Sequence, residues 1–336
     1  MRSLEFMNSA RVITDYYLGM KPGENVLVVR DTRMGEFPGA EALMEAVLAS
    51  ISLGGGEPHV INYIARPVAG MEPPKIVAEA MKSADAVILM TTLSILQTVA
   101  TTEALSAGTR VLMLPPARYI YNSLDMLYRL MPIDSHEIEE RIKLAERITD
   151  LFKAGSKVQV TSPKGTDITM GIGKIAVMYN PNTVRKPGER TIVPGGQVTA
   201  GVTEGEAEGR FVVDGSASPM YRPLSGPIEM VVREGKVVEI KGGRDAYEYR
   251  NFLKGLNDPQ VYMIAEIGVG FHPKAMLTGT PLEDERIYGS SWIALGTNVH
   301  LGGKIKAKIH SDCVMLPPIE LSIDDKVVLK EGRFYV

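Results

Sequence analysis

At 336 residues, with 45% hydrophobic and 23% charged side chains, the chain is long enough for two globular domains and can bury a large core. A net charge of −3 excludes the electrostatic footprint of a protein that grips nucleic acid or an anionic membrane. One cysteine excludes an internal disulfide and fits a reducing compartment, and no apolar run reaches the roughly 18 residues of a membrane span.

The first 20 residues mix acidic and polar groups into an apolar pattern. They predict an amphipathic helix rather than a signal peptide, so a cytoplasmic location is expected. The 18 methionines are scattered and read as core filling. Short apolar runs at 24–29, 58–64, 85–90 and 109–114 predict strands. Helical patterns at 38–54, opened by Pro38 and closed by Gly54, and at 74–84 fall between them. Fully apolar strands separated by helices predict a parallel sheet covered on both faces. Gly54, Gly55 and Gly56 follow a helix instead of a strand, which excludes a dinucleotide fingerprint and a nicotinamide cofactor. A helix is predicted over 134–155, with Asp134 as N-cap, Glu137 in the capping-box position and Gly155 as the stop.

After Gly155 the pattern changes to alternation with hairpin turns at Asp-Gly, Glu-Gly and Asp-Asp, interrupted by one helix at 244–256. The predicted fold class is α/β plus α+β. An N-terminal parallel-sheet α/β domain (1–155) precedes a β-rich metal-binding domain (156–336).

The chemistry concentrates in the last quarter. "KIHSDCVM" (308–315) reads as a strand between Gly302-Gly303 and Pro317-Pro318. Residues two apart on a strand share a face, so His310 and Asp312 project side by side while Ser311 and Cys313 face the other way. The pair can chelate a cation or simply hydrogen-bond. Glu266 lies inside the buried-type strand 261–271, where an ionised carboxylate needs a countercharge: either a basic side chain across the sheet or a cation. Gly268 and Gly270 leave room beside that backbone. Glu266, His310 and Asp312 together would suit zinc, manganese, cobalt or iron(II). The charged "LEDER" (282–286) reads as a solvated turn. Cys313 lacks an evident base, and His59 and His136 read as solvated or structural.

The segment "AEIGVGFHPKAMLTGTPLEDERIYGSSWIALGTNVHLGGKIKAKIHSDCVM", with "GVTEGEAEGRFVVDG" (201–215) and "VPGGQV" (193–198), resembles the aminopeptidase T superfamily of metalloaminopeptidases, including its 2,5-dihydroxypyridine 5,6-dioxygenase branch. The resemblance covers most of 135–330. It implies that Glu266, His310 and Asp312 are metal ligands. Two further ligand positions of the aminopeptidases fall on Gln197 and Trp292, and a family tyrosine falls near Val299 and His300. In the dioxygenase branch, Glu266 stands where a histidine is expected. The set implied is therefore one divalent metal, with His300 and His272 as candidate proton carriers. Trp292 and Gln197 are candidate substrate-pocket residues. The leading expectation is a hydrolase using zinc, manganese or cobalt, in which metal-activated water attacks an amide carbonyl of a small-molecule or short-peptide substrate. The alternatives are an iron(II) ring-cleaving dioxygenase and a homologue that binds a small molecule without turnover. The resemblance also implies a homo-oligomer.

Overall fold

The computed structural model describes all residues except 1–3, 5, 38, 68–69, 116–125, 127–128, 131–134 and 180–182. Pro38 and Asp134, the two helix-start residues named above, lie outside the described residues. The chain divides into two compact units, Met1–Glu139 with Asn180–Gly195, and Glu140–Tyr179 with Gly196–Val336.

The strands in chain order are β1 (Asn25–Asp31), β2 (Glu57–Tyr63), β3 (Ala86–Met90), β4 (Arg110–Met113), β5 (Lys157–Thr161), β6 (Asp167–Gly171), β7 (Val177–Tyr179), β8 (Arg190–Ile192) and β9 (Gln197–Gly201). They continue with β10 (Ala207–Val213), β11 (Ile228–Arg233), β12 (Lys236–Gly242), β13 (Ile264–Gly270), β14 (Ser291–Gly296), β15 (His310–Met315), β16 (Glu320–Ile323), β17 (Lys326–Lys330) and β18 (Arg333–Phe334).

The first unit holds the parallel sheet, ordered β2-β1-β3-β4-β8. β3 and β4 are buried at every position, as continuous apolar runs require when helices cover both faces. Helices Ala40–Leu53 and Lys75–Ser83 match the predicted patterns. A third, Val99–Ser106, was not predicted, because its threonine-rich sequence has little apolar periodicity. Its start is marked by Thr98, whose hydroxyl accepts from the Thr101 amide at 3.2 Å. A single boundary near residue 155 also misses the return of 180–195, where β8 pairs in parallel with β4.

The second unit has two antiparallel sheets, β12-β11-β10-β6-β5-β16-β17-β18 and β15-β14-β13-β9-β7. Alternation decides what each strand buries. Val158 and Val160 of β5 and Ile168 and Met170 of β6 enter one core with Ile267 and Val269 of β13 and Ile293 and Leu295 of β14. Helix Ser135–Ala154 adds Ala145, Ile148 and Phe152, spaced so that they share one helical face. The opposite face of the five-stranded sheet therefore stays outside this core, and the candidate site is built there. Among the described residues no helix is long and apolar enough to cross a membrane.

Phe152 is fully buried in the shared core. Phe152→Ala is expected to lower unfolding stability by about 3–5 kcal/mol, read from urea midpoints, because the ring leaves a cavity that neighbours only partly fill.

Candidate metal centre

β13 is buried at all seven positions and runs between β14 and β9. Its register puts Glu266 opposite Ala294 of β14, which in turn pairs with Asp312 of β15. Gly296 pairs with His310. Glu266, Ala294, Asp312 and His310 thus share the sheet face that points away from the core, and the small residues of β14 leave space between the carboxylates and the imidazole.

Into that space comes a third element, a one-turn 3-10 helix at Val299–Leu301 that carries His300. His300 Nε2 lies 3.0 Å from Glu266 Oε2. His310 Nε2 lies 3.5 Å from Glu266 Oε1 and 3.1 Å from Asp312 Oδ1. The two imidazole rings meet edge to face with centroids 4.8 Å apart. Donor atoms of Glu266, His300 and His310 all fall within 4.8 Å of one another. His310 Nδ1 donates to the Thr297 carbonyl at 2.9 Å, which leaves Nε2 turned to the centre. Asp312 stands beside His310, as the i, i+2 spacing requires, and lies outside that three-residue group. Two imidazoles and one carboxylate, with the carboxylate only 4% exposed, fit a divalent transition metal.

Trp292 is fully buried and lies on the same face, its indole N–H directed at Glu266 Oε1 across 3.4 Å. Its ring covers Gly268, so a Cβ on Gly268 would overlap it. The room that the sequence assigns to Gly268 and Gly270 is therefore filled. Trp292 occupies the first, and the Glu285 and Ile287 carbonyls with the Ser290 hydroxyl crowd the second. Gln197 pairs with Gly270, four residues along from the Glu266 row, and its buried Oε1 has no hydrogen-bond partner. His272 is fully buried, with Nδ1 accepting from the Lys274 amide at 3.2 Å and its side chain packed on Gly196. It is not part of the donor group.

"LEDER" is not a solvated turn. Glu283, Asp284, Glu285 and Arg286 are all buried, and backbone amides and hydroxyls replace water around the first two. Met276 N donates to Glu283, and Ser216 Oγ and Thr278 N donate to Asp284. Burial nevertheless pushes the Asp284 carboxyl up to about 6. Burial and the Asp312 and Glu266 carboxylates push Glu285 well above the usual carboxyl range, with Arg286 opposing. Glu285 is read from sequence only as part of the solvated turn, and the Glu204–Asn298 pair described below is not singled out there. Isolated acidic and amide residues in loops carry no pattern that marks them.

The charges at the centre are coupled. Burial raises the Glu266 carboxyl, but His310 and His300 outweigh it and hold it below its ordinary 4.5. Burial opposes the charge on His310, yet Glu266 and Asp312 hold its imidazolium well above the ordinary 6.5. The ionised Glu266 therefore stabilises the metal-free fold above about pH 4.5 and ceases to as pH falls through its lowered value. The charged His310 stabilises it fully below about pH 6.5, and that share is lost as pH rises through the raised value.

The chain is thus a mixed α/β protein carrying a donor set able to hold a metal ion. The family profile described as NicX, 2,5-dihydroxypyridine 5,6-dioxygenase, matches residues 20–336, and the chain belongs to that family. The 2,5-dihydroxypyridine 5,6-dioxygenase of Pseudomonas putida KT2440 is 28% identical over 266 residues, spanning 75% of this chain and 71% of that protein. A solved 2,5-dihydroxypyridine dioxygenase structure from the same organism superposes with a TM-score of 0.80 at 22% identity, covering 98% of this chain and 97% of the other. Aminopeptidase T from Thermus thermophilus shares the fold, with a TM-score of 0.69 at 14% identity over 99% of both chains. The dioxygenase branch of the expected resemblance is thereby established, and the likeness to aminopeptidase T is one of fold. The leading expectation of an amide hydrolase is overturned, since the family and the curated relative are both dioxygenases.

Two measurements follow from this geometry. Gly268→Ala forces the Trp292 ring to move, at a cost of about 1–3 kcal/mol. Because Trp292 is the sole tryptophan, its emission should shift to the red and become more open to acrylamide quenching. Metal uptake by metal-free protein at pH 7 should release about one proton per ion from His310, seen by calorimetry in buffers of different ionisation enthalpy.

Proposed function

We propose that the chain is an iron(II)-dependent ring-cleaving dioxygenase acting on a hydroxylated N-heterocycle, with 2,5-dihydroxypyridine the first substrate to test. The observation that carries this reading is the set of two imidazoles and one carboxylate with converging donor atoms. Membership of the dioxygenase family supports it. Glu266, His300 and His310 would hold the ion. Iron(II) bound there would supply the electrons that let dioxygen react with a closed-shell aromatic ring. Insertion of both oxygen atoms with cleavage of one ring C–C bond balances without an external reductant.

The chain's own groups have separable tasks in this reading. Trp292 fixes one oxygen of Glu266 by its N–H, and the sheet excludes water from that carboxylate. The Thr297 carbonyl fixes the His310 tautomer. Asp312, next to His310, has a carboxylate placed to take the proton of a ring hydroxyl as substrate binds. His300 is the most exposed of the three donors, with its side chain 30% accessible, so substrate would approach on its side.

The test is oxygen uptake by protein freed of metal and reloaded. With iron(II) and 2,5-dihydroxypyridine, uptake should match substrate loss one to one, and zinc should not support it. His310→Ala should lose both bound metal, by elemental analysis, and uptake. Glu266→Gln should weaken metal binding in a protein that still folds. Iron-loaded protein that consumes no oxygen with any dihydroxypyridine would exclude the reading. Unchanged metal content in Glu266→Gln would remove Glu266 from the ligand set.

A further inference from the structure

We propose that Glu204 and Asn298 are positioning residues that set the His300 ring against Glu266. This rests on the reading that Glu266, His300 and His310 hold a metal ion. His300 lies on a single 3-10 turn without a side-chain cap, and a turn that short has no stability of its own. Its ring is part-exposed, so packing does not hold it either.

The restraint comes from the residue before the turn. Asn298 is fully buried. Its Oδ1 accepts from the Ile305 amide at 2.9 Å, and its backbone exchanges with Ile305 and Gly303, so the loop closes on itself around this one side chain. The side chain rests on Gly303, where any Cβ would collide with it. Gly302 ends the turn with a left-handed φ of 86°. These two needs account for the paired glycines ahead of the His-x-Asp strand.

The loop is then tied to the sheet. Glu204 Oε1 accepts from Asn298 Nδ2 at 3.2 Å and from the Lys304 amide at 2.5 Å. The Lys304 amide contributes most to holding the Glu204 carboxyl below its ordinary 4.5, with Asn298 assisting against the effect of burial. Glu204 follows β9 by three residues, and the last residue of β9, Gly201, is the register partner of Glu266. One strand therefore references both the carboxylate, by pairing, and the histidine turn, through Glu204. Without this tie an exposed imidazole on a free loop would have to be ordered by the ion itself, which lowers affinity.

The experiment is cobalt(II) titration of the metal-free full chain, followed by calorimetry and by the visible spectrum of the bound ion. Wild type, Glu204→Ala, Asn298→Ala, the double variant, Glu204→Gln and His300→Ala are compared. Each alanine variant at 204 or 298 should weaken binding about ten- to a hundredfold and move the cobalt spectrum toward that of His300→Ala. The double variant should lose less than the sum of the two single losses, since both share the Glu204–Asn298 contact. Glu204→Gln keeps an accepting oxygen and should stay near wild type. Wild-type affinity and spectrum in both alanine variants would overturn the proposal. So would a fall in Glu204→Gln as large as in Glu204→Ala, or weaker binding with an unchanged spectrum. If the wild type binds no cobalt, the metal reading itself fails, which is a separate result.

Discussion

Glu266 is a carboxylate in the middle of a strand with no exposed residue, and everything near it answers to that fact. An unpaired charge at such a depth is far more costly than the strand's hydrogen bonds can offset. Two imidazoles converge on its oxygens, an indole N–H reaches it from the next strand, and a second carboxylate meets the same His310 nitrogen. The sheet makes room for this by placing alanine and glycine where larger side chains would otherwise meet. Remove the carboxylate and the indole N–H and the His300 ring lose their shared acceptor, and only Asp312 remains to face His310. The converging donors are what the proposed cation site rests on.

The division of labour across the five-stranded sheet makes such a site affordable. One face of β13, β14 and β15 supplies Ile267, Val269, Ile293, Leu295, Cys313 and Met315 to the core. The other face lies outside that core and carries the polar groups of the centre. A register slip of one residue would exchange the two faces, so the hydrophobic pattern that secures folding also secures the geometry of the centre.

Parts of this were legible in the sequence for clear reasons. Strand periodicity alone put His310 and Asp312 on one face, and the isolated Glu266 in an apolar run announced a buried charge. The parallel sheet followed from uninterrupted apolar runs. What stayed hidden depends on register and on partners distant in sequence. Trp292 cannot be placed on Glu266 until β13 and β14 are aligned, and β8 cannot be assigned to the first unit until it is seen beside β4. "LEDER" looked solvated because nothing local shows the amides and hydroxyls that receive it. His300 was visible as a candidate proton carrier, but its place among the donor atoms depends on a loop whose anchor, Glu204, lies 94 residues from Asn298. Hydrolase and oxygenase are not separated by these residues in sequence. Both chemistries share the fold, and the residues common to both outweighed those that differ.

The alternation along β15 also bears on oxidative wear. Cys313, the only thiol, is three residues from His310, yet it points to the opposite side of the strand. There it is fully buried, with its sulfur 3.4 Å from the Tyr249 hydroxyl, and burial pushes the thiol up to about 12. Peroxide attacks the thiolate, and at neutral pH this sulfur supplies almost none. If the centre handles oxygen as proposed, stray oxidants form beside it, and the thiol on this strand is shielded by the same two-residue period that aims His310 and Asp312.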